Sequence, residues 1–109
     1  MLPKLSTPSR RFNSRVTLNE EVWVCWRCNG HDDVSRVLDM SLGGLFLRTP
    51  APRKVGAPAN LEFLVTEGQI RADAVVRHAA PGQGLGLKFV AVTDADRPRF
   101  AALLRRLRS

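Results

Sequence analysis

The chain has 109 residues, 44% hydrophobic and 25% charged, which suits one folded domain around one core. No apolar run approaches the roughly 20 residues of a membrane-crossing helix. Met1-Leu2-Pro3-Lys4-Leu5 holds no stretch of secretory-signal length, so a cytoplasmic location is expected. Seventeen basic residues against ten acidic leave a net charge of +7, which favours an anionic partner: a nucleotide, nucleic acid, anionic lipid or an acidic protein face.

Residues 1–9 carry Pro3, Ser6, Thr7, Pro8 and Ser9 and are expected as a flexible tail, with residues 10–109 as the domain. From Val16 onward the pattern becomes that of strands. Val22, Val24 and Trp26 alternate with Trp23, Cys25 and Arg27. Asn29-Gly30 is a hairpin signal. A second strand is predicted over Asp33 to Leu38, a turn over Asp39 to Gly43, and a third strand over Gly44 to Thr49. Pro50, Pro52, Gly56 and Pro58 mark a loop. Leu61, Phe63 and Val65 share the face of a fourth strand, and Glu67-Gly68 closes a hairpin. Ile70, Ala72, Ala74 and Val76 give a fifth; Pro81-Gly82-Gln83 turns the chain; Leu85, Leu87 and Phe89 give a sixth, with Gly84 and Gly86 implying close backbone approach.

The end of the chain changes period. Phe100, Leu103, Leu104 and Leu107 form the stripe of an amphipathic helix, with Thr93 and Asp96 as its capping box and Pro98 confined to its first turn. Arg105, Arg106 and Arg108 suit the negative end of the helix dipole. Six short strands and one helix predict an all-β fold, a six-stranded antiparallel β-barrel with a C-terminal α-helix over one opening.

Two short motifs carry the chemistry. Arg11-Phe12-Asn13-Ser14-Arg15 reads R-x-x-x-R, and Asp39-Met40-Ser41-Leu42-Gly43-Gly44 reads D-x-S-x-x-G. Alone, the first is a group of solvated arginines and the second a plain turn. In this order and spacing they resemble the PilZ domain, the bacterial receptor module for cyclic di-GMP. Gly84-Leu85-Gly86-Leu87-Lys88-Phe89 is similar to that family's late G-x-G-aliphatic-x-F strand. The resemblance runs from about residue 10 to about residue 107. It implies the same barrel and helix, a non-enzymatic receptor with no cofactor or metal beyond its ligand, and a part in motility, biofilm, polysaccharide output or virulence.

The ligand chemistry fits the residue types. Fourteen of the 17 cations are arginines, whose flat fork matches phosphate and the guanine O6/N7 edge. The resemblance therefore assigns Arg11 and Arg15 to phosphate and guanine contacts, with Arg10 adding charge. Asp39 accepts from guanine N1–H and N2–H. Ser41 bonds phosphate or base, or holds the turn. Gly43 and Gly44 supply positive φ and a close ligand approach. A ligand touching both motifs would order the segment near residues 9–15 on the barrel and make a new surface for a protein effector.

Other readings are weaker. Cys25-Trp26-Arg27-Cys28 with His31 invites a metal or redox site, but no second C-x-x-C follows, and two cysteines three apart in a strand face opposite ways. No nucleophile triad or P-loop is present, so no enzyme is expected. A basic barrel binding single-stranded nucleic acid is disfavoured by the scarcity of aromatics, 6% with no tyrosine. A PilZ-like adaptor that binds no nucleotide is disfavoured by the two intact motifs.

Overall fold

The computed structural model describes residues 16–108; the expected tail, the arginines Arg10, Arg11 and Arg15, and Ser109 lie outside the described residues. Six strands, β1 (Val16–Cys28), β2 (His31–Met40), β3 (Gly44–Arg48), β4 (Pro58–Leu64), β5 (Ile70–Ala80) and β6 (Gly84–Val92), precede one helix, α1 (Arg97–Arg108). All pairings are antiparallel and the strands close in the order β1-β2-β3-β6-β5-β4. Closure removes the free edges that short strands would otherwise present.

The period-2 alternation sets the core. Val22, Val24, Trp26 and Cys28 of β1 point inward, and Leu61 and Phe63 of β4 and Ile70, Ala72, Ala74 and Val76 of β5 meet them. Trp26 brings one polar atom inside, and its indole N–H donates to the buried Ser35 hydroxyl at 2.9 Å, which removes the cost of an unmade bond. Asn29 and Gly30 both take positive φ (54° and 79°), the backbone that a two-residue hairpin of this twist requires.

Three single-residue bulges interrupt the ladders. Leu38 on β2, Arg77 on β5 and Val90 on β6 each lie where two steps on one strand face one on its neighbour. Bulges bend and twist strands, which closing six of them into a barrel demands. The bulge at Leu38 also corrects the predicted turn: Asp39 and Met40 still pair with Phe46 and Leu45, so β2 runs on and the turn is only Ser41–Gly43.

The helix closes one opening of the barrel. Phe100, Leu103 and Leu104 are buried with the barrel core, and the Phe100 ring meets Phe63 and Phe89 at centroid distances of 6.2 and 5.3 Å. Pro98 is the second helical residue, where a missing N–H costs nothing. The capping box is corrected. Thr93 and Asp96 do bond through their side chains, but Asp96, not Thr93, stands just before the helix, where its carbonyl accepts from Phe100 N–H (3.0 Å), and its carboxylate also reaches beyond the helix start. It accepts from the Arg71 backbone N–H of β5 (2.9 Å) and from the Arg99 guanidinium (2.5 Å). At the other end Arg106 donates to Glu67 of the β4–β5 loop (2.6 Å) and to Glu20 of β1.

Candidate functional site

Val37 and Met40 are both fully buried although three residues apart, a spacing that plain strand alternation forbids. The extra residue Leu38 resolves it: Val37 faces Leu47, and Asp39 faces Phe46. Phe46 lies between the buried Leu45 and Leu47 and so points outward, and cross-strand partners share a face. The bulge thus delivers Asp39, half-buried, to the outer surface at the end of β2.

The turn that follows is tied down by its own residues. Ser41 N–H donates to the Gly44 carbonyl (2.9 Å), Gly43 N–H donates to the Ser41 hydroxyl oxygen (3.1 Å), and Phe89 N–H of β6 donates to the Gly43 carbonyl (2.8 Å). Ser41 is only 2% exposed. Of its expected roles, holding the turn is the one its bonds perform. The expectation of positive φ at Gly43 and Gly44 is overturned: the positive-φ glycines are Gly30, Gly56, Gly68 and Gly82. Gly44 is required for another reason. A Cβ there would sit 2.1 Å from the Leu87 carbonyl oxygen, so the close approach it permits is that of β3 to β6.

Beside Asp39 the outer face over β3 and β6 is smooth. The Phe46 ring lies against Gly84, where a Cβ would come within 2.6 Å of it, and near Gly86. Around this surface stand Arg36, opposite Arg48, then exposed Lys88, and exposed His78 opposite Gly86. None of these four belongs to the site expected from the sequence. Their signal was the strand register counted outward from Asp39, which becomes readable only once the bulge is known. A carboxylate beside several cations suits a ligand that offers N–H donors and anionic groups together. Arg10, Arg11 and Arg15, the other half of the expected site, lie outside the described residues.

Cys25 and Cys28 fall on opposite faces, the first half-buried outside and the second 1% exposed in the core. Among the described residues no three His, Cys, Asp or Glu side chains gather as metal ligands, and no helix is long and apolar enough to cross a membrane.

The family model of the PilZ domain matches residues 9–106. The chain belongs to the PilZ domain family. Three solved structures share this PilZ fold. MrkH of K. pneumonia in its apo state is 23% identical, with a TM-score of 0.66 over 85% of this chain and 49% of that one. The inhibitor of motility MotI/DgrA of Bacillus subtilis is 17% identical, with a TM-score of 0.64 over 88% and 51%. PlzA of Borreliella burgdorferi, solved in complex with c-di-GMP, is 15% identical, with a TM-score of 0.54 over 89% and 42%. At these identities the likeness is one of fold, and the PilZ chain spans about half the length of these proteins. No curated protein matches it.

Proposed function

We propose that this PilZ domain is a receptor for cyclic di-GMP that passes its signal by contact with a partner protein. The observation that carries the reading is the Leu38 bulge, which presents the Asp39 carboxylate on the outer face next to a locked turn, inside a PilZ match that also spans the arginine segment. Asp39 accepts from the guanine N1–H and N2–H, a two-point contact that adenine does not offer. Arg11 and Arg15 bind phosphate and the guanine O6/N7 edge, and Arg10 adds charge. Ser41, Gly43 and Gly44 act through the turn, by keeping Asp39 and β6 in place. Binding draws residues 9–15 onto the barrel and so builds the surface that a partner reads. PlzA was solved with this ligand, and another MrkH structure describes a c-di-GMP-dependent transcription regulator, which supports the reading by kinship of fold. MotI/DgrA, an inhibitor of motility, makes control of motility or biofilm the expected output.

Calorimetric titration with cyclic di-GMP tests this, with cyclic di-AMP and GTP as controls. Saturable binding of cyclic di-GMP alone is expected, and its stoichiometry tells a single ligand from a stacked pair. Arg15→Ala removes charge-assisted bonds of about 1.5–3 kcal/mol each, a loss of tenfold or more in affinity. Asp39→Ala narrows the preference over cyclic di-AMP. Wild-type affinity in both variants would sink the assignment.

A further inference from the structure

Arg27, Arg97, Arg99 and Arg106 each pair with a carboxylate of the fold. Arg36 and Arg48 are arranged the other way, with each other for company. They stand directly opposite on β2 and β3. Arg36 lies between the buried Ser35 and Val37, and Arg48 between the buried Leu47 and Thr49, so both side chains leave the barrel on its outer face. Neither has an ion pair among the described residues, and Nε of Arg36 is buried with no acceptor. Directly opposed residues have Cβ atoms about 5 Å apart, and like charges so placed destabilise a ladder. The free chain gains nothing from the pair. A local rule broken without compensation inside the fold belongs to a functional position.

The neighbours show what the pair suits. Arg48 shares its face with Phe46, the residue opposite Asp39, and two residues of strand are about 7 Å. The partner of Arg48 on β6 is Gly84, against which the Phe46 ring lies. The partner of Arg36 on β1 is Trp23, 40% exposed. Two guanidinium groups therefore stand side by side next to Asp39, with an aromatic ring on each flank. A single anion between them accepts from both forks and turns one repulsion into two attractions. Phosphate has the oxygens for this, and the forks match its geometry.

Building on the cyclic di-GMP reading, we propose that Arg36 and Arg48 clamp one phosphate of the ligand whose guanine donates to Asp39. The arginine segment then serves the other phosphate, and the barrel wall itself holds this one.

Arg36→Met and Arg48→Met each keep an aliphatic stem and remove one charge. Two readouts are expected to move in opposite senses, which a pair that merely supports the fold does not give. The urea midpoint of the free chain stays or rises, because the repulsion is relieved. The affinity for cyclic di-GMP, read by calorimetry on the full chain, falls about tenfold at 0.15 M salt. That deficit narrows at 1 M salt, where charges are screened within about 3 Å. Arg108→Met removes the same charge from α1 and leaves the affinity within about twofold. Wild-type affinity in both clamp variants, or an equal loss in Arg108→Met, overturns the clamp and leaves the receptor reading standing. A midpoint that falls in step with the affinity also overturns it, since the pair would then serve the fold. A wild-type chain that takes up no cyclic di-GMP overturns both.

Discussion

A Cβ on Gly44 would overlap the Leu87 carbonyl oxygen at 2.1 Å, and neither atom belongs to a side chain that can swing aside. Gly44→Ala must therefore push β3 from β6 along a ladder that also carries the Gly43–Phe89 bond. A loss of about 1–3 kcal/mol is expected, read as a lower urea midpoint; an unchanged midpoint would show that the two strands part freely. Asp39→Ala leaves that ladder's backbone contacts in place, because the side chain stands on the outer face, and its expected loss is in the affinity for cyclic di-GMP. The pair of variants separates what builds the site from what touches a ligand. The same distinction marks the limit of reading motifs. Asp39, Ser41 and Gly44 were all read from the sequence as ligand-site residues, whereas the contacts of Ser41 and Gly44 in the structure are with the protein itself. Ser41 closes its own turn, which the local pattern allowed, but Gly44 answers to Leu87, more than forty residues on, and no local pattern names that constraint.

The strands were legible because alternation survives in any single stretch of sequence: Val22-Val24-Trp26 and Ile70-Ala72-Ala74-Val76 each declare a face. The bulges were not, since one extra residue leaves only an odd spacing such as Val37 to Met40. The helix was legible from its stripe, and its fastenings were hidden because their partners lie 25 to 86 residues away. Those fastenings have a pH signature. The Asp96 carboxyl is held below its ordinary range chiefly by the Arg71 backbone N–H and then by Arg99; that of Glu67 is held down chiefly by the Arg106 guanidinium. A carboxyl depressed by folding stabilises the fold fully above its unfolded value, about 4, and loses that contribution as pH falls through the lower folded value. Asp96→Asn should therefore melt below the wild type at pH 7 and lose less on acidification, so that the two melting curves converge between about pH 5 and pH 2. Parallel curves would remove Asp96 from the account. Arg106→Met leaves the half-buried Glu67 without its guanidinium. A cost of about 1–3 kcal/mol is expected, with faster amide exchange confined to the last turn of α1; exchange unchanged there would mean the apolar stripe alone holds the helix.

Across the whole molecule the barrel presents two differently charged faces. Arg36, Arg48, Lys88 and His78 stand around the Asp39 face, and the groove on the opposite side, across β1 and β4, mixes Asp32, Glu62 and Asp73 with Arg27 and Arg71. Whether the faces sense each other depends on what lies between them. Packed sheets are about 10 Å apart, and at physiological salt the screening length is about 8 Å. Direct Coulomb coupling through solvent is then weak, and a closed barrel with a close-packed core resists graded deformation. Glu62→Lys should accordingly change the affinity for cyclic di-GMP by less than about twofold at 0.15 M salt, and by more at 0.01 M, where the screening length reaches about 30 Å. A tenfold change that persists at high salt would contradict this. It would mean that the strands themselves carry a signal from one face to the other, and β2 is the element to suspect, because it holds Val34 on the groove and, past the Leu38 bulge, Asp39 on the opposite face.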